Sequence, residues 1–170
     1  MVVSNSGPLI ALGKLGFLDI LGHLYEKVKI PRAVYDEVVS GGRAGGYADS
    51  LQVELALQRN FLEVMKVKNS TTRIASLPLD NGEKEVLDLA LENQAELLLM
   101  DDMLAREQAK RLGMIVKGTL GVIVTAYRQE FFSLDELRII FDTIIKRNDI
   151  WIAEGLCRSV LDRLTNSNND

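Results

Sequence analysis

A short, fully apolar run that ends in two aspartates is the feature that most limits how this chain can fold. Leu97, Leu98, Leu99 and Met100 are consecutive apolar residues, and a pair of aspartates at 101 and 102 follows them directly. Such a run predicts a buried strand. Charges at the end of a buried strand lie at the edge of a sheet, where open α/β folds bind their ligands. The aspartate pair is therefore a candidate ligand-binding site.

Strands and helices alternate along the first 129 residues. Strands are predicted at 1–4, 28–30, 61–67, 97–100 and 114–116, and helices at 9–15, 17–21, 32–40, 48–59, from about 82, at 103–112 and at 120–129. This alternation favours a parallel sheet with helices on both faces. The segment SGGRAGGYADS, with glycines at 41, 42, 45 and 46, predicts a mobile loop inside the domain.

The C-terminal third has a different pattern. Ser133 and Glu136 form a capping box in front of an apolar helical face, and a second apolar face follows from Trp151. A helical hairpin is predicted over 133–164, whereas 165–170 is too polar to pack and is predicted to be a disordered tail. We therefore expect a single domain over residues 1–164, with a core at about 1–129.

Composition excludes several classes of protein. An apolar fraction of 47% is ordinary for a soluble domain, and no run approaches the roughly 18 apolar residues of a membrane span. Cys157 is the only cysteine, which excludes an internal disulfide or a cysteine-based zinc site and fits a reducing cytoplasm. The net charge of −4 means that contact with nucleic acid requires a local basic patch or bound cations.

Short polar or acidic side chains occur at four places near predicted strand ends or on the helices that follow. These are Asn5, Glu37, the Glu83/Glu85 pair and the Asp101/Asp102 pair. A single carboxylate is usually a surface group or a helix cap. Several carboxylates gathered at one end of a sheet repel one another unless a cation offsets their charge, and Mg²⁺ or Mn²⁺ prefers such oxygen ligands. The combination suggests metal-assisted hydrolysis of a phosphodiester.

This layout resembles the PIN-domain family of metal-dependent ribonucleases. The resemblance is carried, in order from about residue 1 to 129, by VSNSGPLIAL, IPRAVYDEV, GEKEVLDLALE, LLLMDDMLAR and KGTLGVIVTA. It is strongest to the PIN-like subgroup with a G-E-x-E helix and a G-T-L-G turn. The resemblance implies a three-layer α/β/α PIN-like fold with a central parallel sheet and a C-terminal helical hairpin.

The resemblance also implies roles for individual residues. Asn5 falls where most PIN domains have their first catalytic aspartate, Glu37 resembles the second acid and Glu85 the third. Asp101 or Asp102 resembles the fourth acid, with Asp102 preferred. The implied metal ligands are Glu37, Glu85, Asp101 and Asp102.

Glu83 is the rival of Glu85, because the register of a helix read from sequence varies by a residue or two. The two side chains point about 200° apart on a helix, so only one of them can face the site. Ser6 and Thr119 are candidate helpers that could hold water or a phosphate oxygen, although simple helix capping also accounts for them. Arg43, Lys84, Arg106 and Lys117 could meet an RNA backbone.

Asn5 is the departure from the family pattern, because an amide oxygen can bind a hard cation but lacks a formal charge. Three interpretations stay open: a nuclease with weakened metal binding, a nuclease that needs a phosphate ligand from its substrate, or a catalytically silent PIN fold.

The resemblance therefore implies a divalent-metal-dependent endoribonuclease, comparable to the toxin of a toxin-antitoxin pair, with RNA as substrate and a small antitoxin protein as partner. A homodimer is the expected assembly, because the apolar terminal helices offer surface for self-association, although they could equally cover the sheet within one chain. The alternative is a silent PIN-fold module for RNA binding or dimerisation. A receiver-like signalling domain ranks low, since it needs an acidic pair after the first strand, where this chain has Ser4 and Asn5.

Overall fold

The computed structural model describes residues 1–42 and 48–167 of the 170-residue chain. In this part of the chain a parallel sheet is built from β1 (Val2–Ser4), β2 (Val28–Pro31), β3 (Leu62–Met65), β4 (Leu97–Leu99) and β5 (Val116–Lys117). The strand order is β3-β2-β1-β4-β5, and each neighbouring pair is parallel. The predicted central parallel sheet is confirmed.

Helices connect the strands and continue beyond them. They are α1 (Ser6–Leu15), α2 (Ile20–Tyr25), α3 (Arg32–Tyr35), a π-helical segment (Asp36–Gly41), α4 (Ala48–Gln58), α5 (Thr72–Ala75), α6 (Asn81–Glu92), α7 (Met103–Arg111), α8 (Thr119–Arg128), α9 (Leu134–Lys146) and α10 (Glu154–Ser167). None of the described helices is long and apolar enough to cross a membrane.

The strand order explains the three layers. The chain moves outward from β1 to β2 and β3, then returns past β1 to β4 and moves outward again to β5. Because crossovers between parallel strands are right-handed, this reversal places α1, α2 and α4 on one face and α6 and α7 on the other. The central strands are covered on both sides, and Val3, Leu98 and Leu99 are fully or almost fully buried.

The same reversal creates a topological switch point between β1 and β4. Ser4 pairs with Leu99 in register, so the carboxyl ends of the two strands lie side by side. Asn5 continues this pairing by donating its backbone N–H to the Leu99 carbonyl oxygen at 2.9 Å. Crevices of this kind are where open α/β sheets bind ligands.

The predicted helix at 32–40 is observed as α3 followed by the π-helical segment. The spacing of Val34, Val38 and Val39 does not distinguish an α-helix from a π-helix, and all three side chains are buried. π-Helical turns are rare and often occur at functional sites. This one carries Glu37.

A short helix also forms inside the polar segment between β3 and α6. The Thr71 side chain caps α5 by accepting a hydrogen bond from the Ile74 N–H, and Ile74 is fully buried. Residues 43–47 of the predicted glycine-rich loop, including Arg43, lie outside the described residues.

The chain divides into two compact units, residues 1–122 and 123–170. In the second unit α9 and α10 pack together, and the predicted capping box of Ser133 and Glu136 is present. Helix α10 continues to Ser167, and within it the Thr165 hydroxyl donates to the carbonyl oxygens of Leu161 and Asp162. The tail was predicted to begin at residue 165, so its first three residues are helical instead; residues 168–170 lie outside the described residues.

Candidate acidic active site

Asn5 lies at the switch point with a buried acceptor that has no partner. The residue is 6% exposed and occupies the N-cap position of α1, but its side chain makes no capping hydrogen bond. Its Oδ1 atom is buried and accepts no hydrogen bond within the described residues. Buried polar atoms are normally satisfied, so this oxygen points to a bound water or cation.

Glu37 extends from the π-helical segment towards the start of α1. The Ser6 side chain is hydrogen-bonded to the Glu37 carboxylate. Although the residue as a whole is accessible to solvent, its carboxyl group is partly desolvated, and this burial raises its pKa. The hydrogen bond from Ser6 opposes the rise, whereas the negative charge of Asp80 adds to it.

Glu83 faces the same region from the first turn of α6. It is 8% exposed and forms a capping box with Asp80: its N–H donates to Asp80 Oδ1 at 2.7 Å, and its Oε2 accepts from the Asp80 N–H at 3.0 Å. Burial raises the pKa of Glu83, the hydrogen bond from Asp80 lowers it, and the charges of Asp80, Asp102 and Glu37 raise it further. Glu83 therefore belongs to an acidic cluster with Glu37 and Asp102.

Glu85 lies elsewhere. Its Oε2 accepts a hydrogen bond from the Ala33 N–H at 3.0 Å, and its Oε1 accepts from Asn81 Nδ2 at 3.3 Å. The bond from Ala33 links α6 to the beginning of α3, whereas the bond from Asn81 lies within α6. The structure thus brings Glu83, and not Glu85, to the other acids, as expected from the roughly 200° between the two side chains on a helix.

The two aspartates after β4 have different surroundings. Both carboxylate oxygens of Asp101 accept hydrogen bonds from Thr119, one from its N–H and one from its hydroxyl. Asp102 is the N-cap of α7, where its Oδ1 accepts from the Ala105 N–H at 2.8 Å. The second oxygen of Asp102 accepts no hydrogen bond within the described residues, so it is available to a ligand.

Thr119, Ser6 and Arg106, the remaining candidates described by the structure, position other groups of the site. Thr119 is fully buried and fixes Asp101, and Ser6 is buried and orients Glu37. Arg106 donates through Nη1 to the Met100 carbonyl oxygen at 2.9 Å and so braces the end of β4.

Asp80 was missed by the sequence analysis. Its carboxylate lies beside the cluster: a Cβ added at Gly82 would be 3.4 Å from Asp80 Oδ1 and 3.5 Å from Glu37 Oε2. The signal was present in the sequence, because Asp80-x-x-Glu83 has the spacing of a capping box at the start of a helix.

The donors in this cluster suit a hard divalent cation that keeps several waters. Within residues 1–42 and 48–167, no three His, Cys, Asp or Glu side chains are grouped so that they could hold a metal ion by themselves. The cluster nevertheless combines the unpartnered Asn5 oxygen with two carboxylates, Glu37 and Glu83, whose pKa is raised first by burial and further by neighbouring negative charges. Mg²⁺ is commonly bound through one or two carboxylates and retained water, and these residues fit that mode.

Comparison with known proteins agrees with the fold. A PilT N-terminus domain protein from the hyperthermophilic archaeon Sulfolobus solfataricus P2 has a similar solved structure, with a TM-score of 0.54 and 22% sequence identity over 74% of this chain and 93% of that chain. At this identity the likeness shows the fold alone. No curated protein matches the chain. A family model described as "DUF3368: PIN domain" matches residues 1–166. The chain therefore belongs to the PIN-domain family, as its sequence motifs predict.

Proposed function

We propose that this protein is a divalent-metal-dependent endoribonuclease that hydrolyses RNA phosphodiester bonds. PIN domains have a nuclease-type fold, generally use divalent metals and often bind RNA. The observation that carries the proposal is the cluster of Glu37, Glu83 and Asp102 beside the unpartnered Asn5 oxygen at the switch point. Uncompensated like charges beside a buried acceptor are stabilised by a cation.

Each residue has a role in this proposal. Glu83, Asp102 and the Asn5 amide oxygen would hold Mg²⁺ or Mn²⁺ together with retained water. When bound, the cation supplies charge stabilisation to the phosphate and activates water. The Glu37 carboxylate, oriented by Ser6, can accept the proton of the attacking water.

Asn5 sets the strength of metal binding in this scheme. Its amide contributes an oxygen without a formal charge, so we expect weaker binding than an aspartate would give. The alternative function, a catalytically silent module for RNA binding or dimerisation, is favoured by the lack of a closely grouped acidic triad in the described residues.

The biological setting belongs to the same proposal. By its resemblance to toxin-type PIN domains, the proposed role is the toxin of a toxin-antitoxin pair, with a small antitoxin protein as partner. A homodimer is the proposed assembly, with the apolar terminal helices as the surface for self-association.

The decisive experiment is a Mn²⁺ titration of the parent protein beside Asn5→Asp, with RNA cleavage followed in the same samples. We expect Asn5→Asp to bind Mn²⁺ roughly tenfold more tightly, because a charged ligand replaces a neutral one. We expect Glu37→Ala and Asp102→Ala to abolish cleavage. Glu107→Ala is the matched control, because this exposed acid pairs only with Arg111 in the described structure.

Two outcomes would contradict the proposal. Cleavage that survives both alanine changes would show that the site is wrongly assigned. If Asn5→Asp bound no metal, the metal mechanism itself would fail, and RNA binding without cleavage would then support the silent module.

A further inference from the structure

Two adjoining cavities with volumes of about 370 and 390 Å³ lie along α6 and share Val67 and Glu85 in their walls. We call them together the lysine groove, after the cations that line it. Arg32 and Lys66 line the first cavity, and Lys68 and Lys84 line the second.

The carboxylates near the groove accept hydrogen bonds from the segments that form its walls. Asp88 accepts hydrogen bonds from the Thr71 N–H at 3.0 Å and from its hydroxyl at 3.1 Å. Glu92, one turn further along α6, accepts from the backbone N–H groups of Lys68 and Asn69. Glu85 is bonded to the Ala33 N–H as described above. These acids hold the segment from 68 to 71 and the start of α3 against α6.

The lysines of the groove have no such partners. Lys66 and Lys68 are exposed and Lys84 is half-buried, and none of the three forms an ion pair within the described residues. Several other cations in the described structure are paired: Lys29 with Glu63 and Arg59 with Asp19, for example. In a chain of net charge −4, three unpaired lysines along one groove form the local basic patch that contact with a polyanion requires.

The groove and the acidic cluster both involve the N-terminal turns of α6. Glu83, in the first turn of that helix, faces the cluster, whereas Asn81 and Lys84 line the groove. Glu83 and Lys84 are adjacent along the helix axis, but their side chains point about 100° apart, so the groove lies around the first turns of α6 from the acids. A strand that passes over the N-terminal end of α6 would reach the lysines within a few nucleotides of a phosphate bound at the acids.

We propose that the lysine groove binds the phosphate backbone of single-stranded RNA next to the scissile bond. The inference rests on the proposed function and adds the path that the substrate takes. Each cavity is near the lower end of the 300–1,000 Å³ usual for ligand sites, so it suits single nucleotide units and not a duplex. Lysines act as point charges on phosphate, which predicts binding without base specificity.

The test measures RNA binding without catalysis. Fluorescence anisotropy follows a labelled single-stranded oligouridine in the presence of EDTA, with the parent protein and with Lys66→Ala/Lys84→Ala. We expect affinity to fall on the order of tenfold, and the slope of log K against log salt to fall by roughly 1.4, for two lost phosphate contacts on a single strand. A Lys66→Gln/Lys84→Gln variant, which keeps longer side chains, should show the same loss.

The matched control is Lys110→Ala/Lys146→Ala. Both lysines are exposed, lie on α7 and α9, and form no ion pair in the described part of the chain, so the change in net charge is the same. We expect the control to bind RNA within about twofold of the parent, since general charge effects are screened beyond a Debye length of about 10 Å.

The outcomes separate this inference from the proposed function. If the groove and control variants lost RNA affinity equally, or if the groove variants lost none, the proposal that the groove binds RNA would be contradicted. Duplex RNA bound as tightly, with the same dependence on the lysines, would overturn the single-strand assignment. If RNA binding depends on the lysines but no Mn²⁺-dependent cleavage occurs, the groove is supported and the proposed nuclease activity is contradicted. If RNA is cleaved but its binding does not depend on the lysines, the nuclease activity is supported and the groove is contradicted.

Discussion

Thr119 holds both carboxylate oxygens of Asp101. Its N–H donates to Oδ1 at 2.7 Å and its hydroxyl donates to Oδ2 at 2.5 Å. Because Asp101 follows β4 and Thr119 begins α8, the pair fixes the chain at the carboxyl edge of the sheet. The bonds also occupy Asp101, which leaves Asp102 as the aspartate with a carboxylate oxygen that accepts no hydrogen bond in the described structure.

Thr119→Val should destabilise the fold. The substitution keeps the shape of this fully buried side chain but removes the donor to Asp101 Oδ2. Leaving a partly buried charged acceptor without its donor costs about 1–3 kcal/mol, and we expect that loss in the free energy of unfolding measured by urea denaturation. Thr119→Ser retains the hydroxyl and should keep most of the stability. Equal losses in both variants would show that packing of the methyl group is the larger effect.

Glu83→Gln and Glu85→Gln should separate the two glutamates of the G-E-x-E motif. Glu83 is in the acidic cluster, whereas Glu85 bonds the Ala33 N–H. We expect Glu83→Gln to lower Mn²⁺-dependent RNA cleavage by about 100-fold or more, and Glu85→Gln to change it only a few-fold. If Glu85→Gln lowered RNA cleavage more than Glu83→Gln did, Glu85 and not Glu83 would be the acid of the G-E-x-E motif that acts in the site.

The raised pKa values of Glu37 and Glu83 predict a pH dependence of stability in metal-free protein. Burial holds the pKa of both groups above the ordinary glutamate value of 4.5. The folded state therefore binds these protons more tightly than the unfolded state does. Their contribution to stability is fully present below pH 4.5 and is lost as the pH rises through the folded pKa values.

The measurement compares the parent with Glu37→Gln/Glu83→Gln by urea denaturation in EDTA, in steps from pH 4 to about 7.5. The double variant should gain stability relative to the parent as the pH rises, because it has no charge to bury. Added Mn²⁺ should stabilise the parent more at the upper end of this range than at the lower end. Parallel pH curves for the two proteins would contradict the prediction.

Gly118→Ala should also be destabilising. A Cβ at this position would lie 2.6 Å from Arg106 Nη1 and 2.7 Å from Asp101 Oδ1. The side chains of Arg106 and Asp101 at the end of β4 would therefore have to move. We expect a loss of roughly 1–3 kcal/mol in the free energy of unfolding. Gly155→Ala is the control: nothing lies within 4 Å of its Cβ, and alanine in α10 should stabilise the helix by up to about 1 kcal/mol. Similar effects at both glycines would show that the contacts of Gly118 have little weight.

The strands were predictable to within a few residues because burial on both faces requires apolar side chains throughout, as in Leu97–Leu99. The π-helical segment was not predictable, since the valines that anchor it have a spacing that an α-helix also satisfies. Helix α5 was also missed, because a single buried residue, Ile74, fixes an otherwise polar stretch. In both cases the conformation depends on packing against distant residues.

The sequence by itself determined the alternation of strands and helices, the family and the set of acids from which a site could be built. Only the tertiary structure decided which of those acids meet. Helix spacing fixes the angle between Glu83 and Glu85, but the rotation of α6 about its axis is set by its contacts with α3, β1 and β2. The lysines of the groove come from the segment after β3 and from α6, so only the folding of that segment onto the helix places them together in one groove.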